Sequence, residues 1–123
     1  MLIRQGEGWR FGVDPGRHPF SVLLGGENWA VELRLLEAEA LRDGALQLRS
    51  TLAALTDQLM PEECITLEWE RDGLWLELEG CLGEASLRFV LQSHGDRSVE
   101  GGWSAAATTV LLAVLEQVNL PEA

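Results

Sequence analysis

Ile65-Thr66-Leu67-Glu68-Trp69-Glu70-Arg71-Asp72-Gly73-Leu74-Trp75-Leu76-Glu77-Leu78 settles the architecture of half the chain. Ile65, Leu67 and Trp69 alternate with Thr66, Glu68 and Glu70, the period of a strand covered on one face, and Leu74, Leu76 and Leu78 resume it after Asp72-Gly73. Asp-Gly suits the two positive-φ positions of a type I′ turn, whose twist matches that of its flanking strands. A two-residue loop also fixes the register. Arg71 then pairs with Leu74, Trp69 faces Leu76, Leu67 faces Leu78, Glu70 faces Trp75 and Glu68 faces Glu77. One face is apolar, and the other carries Glu68, Glu70, Glu77 and Glu79 around Trp75. Continued outward, the same register makes Cys64 and Cys81 neighbours at a non-hydrogen-bonded position, with Cα atoms about 4.5 Å apart.

Downstream, Gly80 to Gly83 turns the chain, Leu87, Phe89 and Leu91 define a further inward face, and Arg88 comes beside Trp75. A His94-Gly95-Asp96 turn leads to a last strand with Val99, Gly101 and Trp103 inward, which completes a four-stranded meander. Ser104 is placed to cap a helix over Ala105 to Val118, so apolar that Ala107, Val110, Leu111, Leu112, Val114 and Leu115 cover most of its circumference. Upstream, Ala38, Leu41, Ala45, Leu48, Leu52, Leu55 and Leu59 recur at steps of three and four on one helical stripe. Glu37 and Glu39 suit the positive end of that helix, Gly44 is a modest internal weakness, and the helix must stop before Pro61. Before it, Phe20 to Leu24 and Trp29 to Leu36 form a hairpin around Gly25-Gly26-Glu27-Asn28, and Gly8 to Val13 is a strand ended by Asp14-Pro15-Gly16. The order is βββ-α-ββββ-α. This predicts an α+β fold of antiparallel sheets, about seven strands in all, with a long central helix and an apolar C-terminal one. At 123 residues the chain supports one core, so residues 1–123 are expected to form a single domain.

Twenty acidic residues face nine basic ones, every basic residue is arginine, and the net charge is -11. A polyanion or an anionic membrane meets net repulsion from such a chain, because affinity for phosphates rests on clustered cations. No stretch approaches the roughly 20 apolar residues of a membrane span, and no secretory leader opens the sequence, so a cytoplasmic protein is expected. The two cysteines and two histidines, His18 and His94, share no zinc-ligand spacing. The paired glycines at Gly25-Gly26 and Gly101-Gly102 lack phosphate-loop spacing and read as turn and strand irregularities.

The outward carboxylates Glu68, Glu70, Glu77 and Glu79 around Trp75 form the one candidate surface, for a cation or a basic partner; the plainer alternative is a solvated sheet face. Glu68 opposite Glu77 is repulsive, and Arg88 offsets it by pairing or by stacking on Trp75. Flat sheet faces rarely hold acid-base pairs, no nucleophile lies in a recognisable triad context, and no cofactor or metal is expected. Cys64 and Cys81 are within disulfide reach, which suits a redox-responsive pair; the plainer alternative is two small, semi-buried residues that a reducing cytosol keeps as thiols. Of five tryptophans, Trp69 and Trp103 fall on core faces and Trp9 and Trp29 near strand starts, leaving Trp75 as the binding candidate.

Gly8-Trp9-Arg10, Trp29-Ala30-Val31-Glu32-Leu33, Leu74-Trp75 and Glu100-Gly101-Gly102-Trp103, taken with the element order, resemble a family of uncharacterised cyanobacterial proteins of similar length. The resemblance spans essentially the whole chain and brings no assigned activity. It implies a fold similar to the Whirly and transcriptional-coactivator type of single-stranded-DNA-binding domain, in which sheet and helix are repeated and the helices pair subunits or cover the sheet. Whirly-type proteins present a lysine-rich strand motif to nucleic acid. This chain has no lysine, so no binding residue maps across, and likeness of fold does not carry function. The reading that follows is a non-enzymatic interaction or assembly-accessory protein with an unknown protein partner, dimeric through its apolar C-terminal helix. A single-stranded nucleic-acid binder using Arg88, Trp75 and Arg10 or Arg34 stands second.

Overall fold

Asp72 and Gly73 adopt left-handed φ values of 49° and 84° in the computed structural model, which describes residues 1–92 and 97–121. Around that turn, β5 (Cys64–Arg71) and β6 (Leu74–Cys81) pair in the register derived above, from Arg71 against Leu74 to Cys64 against Cys81. The strands β7 (Glu84–Gln92) and β8 (Ser98–Trp103) extend the sheet in the order β5-β6-β7-β8. Leu74, Leu76, Leu78, Leu87, Phe89, Leu91 and Trp103 are buried on its inner face, as the period-two pattern requires. The expected turn at His94-Gly95-Asp96 lies outside the described residues.

The first half forms a second four-stranded sheet, β1-β2-β3-β4, of β1 (Leu2–Gly6), β2 (Trp9–Val13), β3 (Val22–Gly25) and β4 (Ala30–Leu33). The described strands therefore number eight, not about seven. The extra one is β1, which shows no alternation because all five of its residues are exposed. The third expected strand is shorter than Trp29 to Leu36, since Leu35 and Leu36 already belong to α1 (Leu35–Thr56). Glu37 explains the early start: its carboxylate accepts the backbone N–H of Arg34 at 2.8 Å, satisfying a donor left free at the helix end. The helix ends at Thr56, so Leu59 lies beyond its stripe, while Ala38, Leu41, Ala45 and Leu48 are buried as the stripe implies.

Gly44 is not a mere weakness of α1. A Cβ built there would lie 2.4 Å from Trp69 Cε3 and 2.6 Å from Leu76 Cδ1, so the absent side chain is what lets the helix settle on β5 and β6. The glycine pair of β8 has a similar role. A Cβ at Gly101 would fall 2.7 Å from Trp29 Cζ2, and Trp29 donates its ring N–H to the Gly102 carbonyl at 3.3 Å. In return Trp103 donates to the Gly25 carbonyl at 2.9 Å. Trp29, Phe89 and Trp103 have ring centroids 5.2 to 5.6 Å apart, a cluster in which each pair adds about 0.5–1.5 kcal/mol beyond area burial. The two sheets thus lock together at Trp29 and Trp103.

Ser104 caps α2 (Ala105–Gln117), accepting the Ala107 N–H at 3.2 Å. Ala107, Leu111, Leu112, Val114 and Leu115 are buried, and the buried hydroxyl of Thr108 accepts the Leu87 N–H at 3.1 Å. The helix packs on β7, β2, β8 and α1, so internal packing accounts for most of its apolar circumference. Its exposed side carries Ala106, Thr109, Val110, Ala113, Glu116 and Gln117, which removes the observation on which dimerisation through this helix rested. Neither helix is long and apolar enough to cross a membrane.

Candidate functional site

Strand pairing places the acidic residues in rows across the outer face of β5–β8. Glu68, Glu77, Arg88 and Gly102 form one row; Glu70, Trp75, Val90 and Glu100 form the next; Thr66, Glu79 and Ser86 flank the first on its other side. The sequence-derived residues Glu68, Glu70, Trp75, Glu77, Glu79 and Arg88 therefore do share one surface. Two carboxylates join them. Glu100 enters through β8 and Glu84 stands opposite Cys81, so six carboxylates face one guanidinium. The hairpin register alone did not reach either; extending the same alternation through β7 and β8 finds both.

Arg88 resolves the Glu68–Glu77 repulsion as expected, and does so in both anticipated ways. Its Nε donates to Glu77 Oε1 at 2.8 Å and Nη2 to Oε2 at 3.4 Å, while Cζ lies 5.1 Å from the Trp75 ring centroid. The hydrogen bond to Glu77, then the charge of Glu77, raise the Arg88 pKa above its ordinary value, with smaller contributions from Glu100 and Glu79. Glu77 is thereby neutralised within the face. Glu68, Glu70, Glu79, Glu84 and Glu100 have no cation within 4.0 Å among the described residues.

No three His, Cys, Asp or Glu side chains gather as a metal site among the described residues. The face is a shallow surface with a half-buried Trp75–Val90 centre and a carboxylate rim, suited to contact with a cationic surface. Trp75 is the tryptophan of this face: Trp9 and Trp103 are buried, and Trp29 and Trp69 are half-buried against the core. Trp69 donates to Gln47 Oε1 at 3.2 Å and carries the Arg71 guanidinium 4.8 Å from its ring.

The basic strip proposed for nucleic acid does not assemble. Arg10 lies on β2 in the other sheet, bonded to Gln5 Oε1 at 3.0 Å, and Arg34 lies over Phe20 at 5.5 Å next to α1. Arg17, Arg42, Arg49, Arg71, Arg88 and Arg97 each pair with a carboxylate.

Cys64 and Cys81 close the face at the far end of the hairpin, with Cα atoms 4.4 Å apart and their sulfurs joined in a disulfide. The register holds both side chains within bonding reach, as the alternation implied, and the structure joins them where the reducing compartment expected from the sequence would keep thiols. Such bonds persist in oxidising surroundings and are rare in a reducing cytosol. Thiol titration of the air-exposed, unfolded protein is expected to find no free cysteine before reduction and two after it. Two thiols before reduction would contradict the bond.

Fold and surface together define an α+β protein of two four-stranded antiparallel sheets, each followed by a helix, with one acidic sheet face. The chain belongs to the family described as "Domain of unknown function (DUF1818)", which matches residues 4–118. It is similar to the crystal structure of a protein with unknown function from the DUF155 family of Prochlorococcus sp. NATL2A, a cyanobacterium, at 33% identity over 94% of this chain and 97% of that one, with a TM-score of 0.90. No curated protein matches the chain.

Proposed function

We propose that this protein is a non-enzymatic interaction module whose β5–β8 outer face docks a cationic protein partner. One observation supports the reading: six carboxylates share a single sheet face with a half-buried Trp75–Val90 centre, Glu70 and Glu100 in its own row and Glu68 and Glu77 in the next, and among the described residues they meet one guanidinium on that face, Arg88. Opposite charge steers encounter and sets register, and a central apolar patch within a polar rim is how protein interfaces are built. A Whirly-type role in binding single strands has less support, because Trp75 is ringed by carboxylates and phosphates require the reverse.

The test uses a labelled deca-lysine peptide as probe. Replacing Glu68, Glu70, Glu79 and Glu100 with Gln is expected to weaken its binding about tenfold at low salt, from a few tenths to one kcal/mol for each exposed charge. Replacing the exposed Glu7, Glu27, Glu62 and Glu63 removes the same charge elsewhere and is expected to change affinity less than about twofold. Equal losses in the two variants would sink the proposal. Tighter binding of an oligothymidylate than of the peptide at the same salt would promote the nucleic-acid reading instead.

A further inference from the structure

Met1, Leu2 and Ile3 are 84%, 46% and 47% exposed, the only consecutive run among the exposed large hydrophobics of the described residues. Leu2 and Ile3 lie in β1, an outer strand of the first sheet. Bare edge strands carry unpaired main-chain groups that template pairing with another chain, and proteins protect them with charge, bulges or cover. The other three edges are protected: β4 carries Glu32, β5 carries Glu68 and Glu70, and β8 carries Glu100 with Trp29 seated over Gly101. β1 has no carboxylate, and Arg4 is its single charge. In a chain of net charge -11, self-pairing through any other edge brings carboxylates together, whereas pairing through β1 does not.

The geometry also selects a register. β1 closes on β2 through Glu7-Gly8, with Gly6 opposite Trp9. Hydrogen-bonded pairs alternate along an antiparallel ladder, so Gly6, Arg4 and Leu2 bond inward to β2 and the N–H and C=O groups of Ile3 and Gln5 point outward. We infer that β1 is the contact through which two copies of this chain join, antiparallel and two-fold symmetric, with Ile3 opposite the partner's Ile3. This register exchanges main-chain bonds between the two Ile3 residues and between Gln5 and the partner's Met1, and it lays the stem of the partner's Arg4 over Leu2. Of the two neighbouring two-fold registers, one sets Arg4 against the partner's Arg4 at a close, non-hydrogen-bonded position, where like charges repel, and the other, centred on Leu2, shortens the ladder to Met1, Leu2 and Ile3. A symmetric contact of this kind closes at the dimer. A five-residue strand edge gives an interface at the small end of the range, so association depends on concentration.

Sedimentation equilibrium of the full chain, from about micromolar to about millimolar concentration, is expected to show the mass rising from monomer to dimer. Ile3→Pro removes an outward N–H that β2 does not use, and Ile3→Lys sets like charges at the two-fold axis. Both are expected to weaken the dimer at least about tenfold while circular dichroism stays unchanged. Ile3→Cys is expected to give a dimer linked by a reducible bond, since Cα atoms of a hydrogen-bonded cross-strand pair lie about 5.5 Å apart, within disulfide reach. A wild-type chain that stays monomeric throughout would overturn the inference. So would Ile3→Lys dimerising as well as wild type, which would place the contact elsewhere.

Discussion

Gly44→Ala is expected to lower the unfolding free energy by about 1–3 kcal/mol, although alanine is the better helix former by about 1 kcal/mol. Propensity and packing point in opposite directions here, and distance decides between them. The added Cβ would sit 2.4 Å from Trp69 Cε3 and 2.6 Å from both Trp69 Cδ2 and Leu76 Cδ1, all well inside van der Waals contact. Neither neighbour can withdraw easily. Trp69 is tethered by its bond to Gln47 and covered by Arg71, and Leu76 is 0% exposed. Helix and sheet must therefore separate, which loosens the contacts of Ala45 and Leu48 in the same core. Gly44→Leu adds three further carbons at the same point and is expected to exceed about 4 kcal/mol, a large part of the roughly 5–15 kcal/mol that holds a domain of this size folded. Urea denaturation of both variants measures the effect. A Gly44→Ala protein as stable as wild type would show that the helix lies further from β5 and β6 than described.

The same position shows where reading the sequence stops. Periodicity assigns α1 to the core and treats Gly44 as a local cost, because nothing local records that Trp69 lies across the helix. By contrast, the β5–β6 register is legible to the residue: Asp72-Gly73 admits one short turn, and period two then leaves no freedom. The acidic face follows from that register, which is why Glu68, Glu70, Glu77, Glu79, Trp75 and Arg88 come together as expected. Trp29 against Gly101 and Gly102 joins residues more than seventy positions apart, and no local pattern encodes it. β1 escapes for a different reason. A strand covered on neither face has no alternation to detect, so Leu2-Ile3-Arg4-Gln5-Gly6 resembles an irregular terminus. The expected basic strip fails because charge type was known and placement was not: Arg10 and Arg34 belong to the first half of the fold and Arg88 to the second.

Arg97→Ala is expected to cost about 3 kcal/mol of stability, the largest effect of any charge removal in the described structure. Arg97 approaches β8 and donates through Nη1 to both oxygens of Glu37, at 2.7 and 2.9 Å. Its Nη2 donates to the Glu32 carbonyl of β4, and its Cζ lies 4.8 Å from the Phe20 ring centroid. A single side chain thus ties the second sheet to β4, to the start of α1 and to the loop before β3. The paired side chains are only 22% and 13% exposed, against 40% and 58% for Arg49 and Glu116, so solvent screens the former pair less. Without Arg97, Glu37 retains one neutral donor, the Arg34 N–H, for a carboxylate largely removed from water. Arg97→Lys keeps the charge but loses the fork that reaches Glu37 and the Glu32 carbonyl together, and is expected to lose about 1–2 kcal/mol. The double substitution Arg97→Met with Glu37→Met leaves no orphan charge and should recover much of the loss, giving a coupling of about 2 kcal/mol or more in the cycle. Arg49→Ala serves as the exposed control, with an expected change below about 1 kcal/mol. Equal effects at Arg97 and Arg49 in chemical denaturation would mean that the Glu37 pair is as solvated as an ordinary surface bridge and that the two halves of the fold are held by the Trp29 and Trp103 contacts and the shared apolar core, without help from this ion pair.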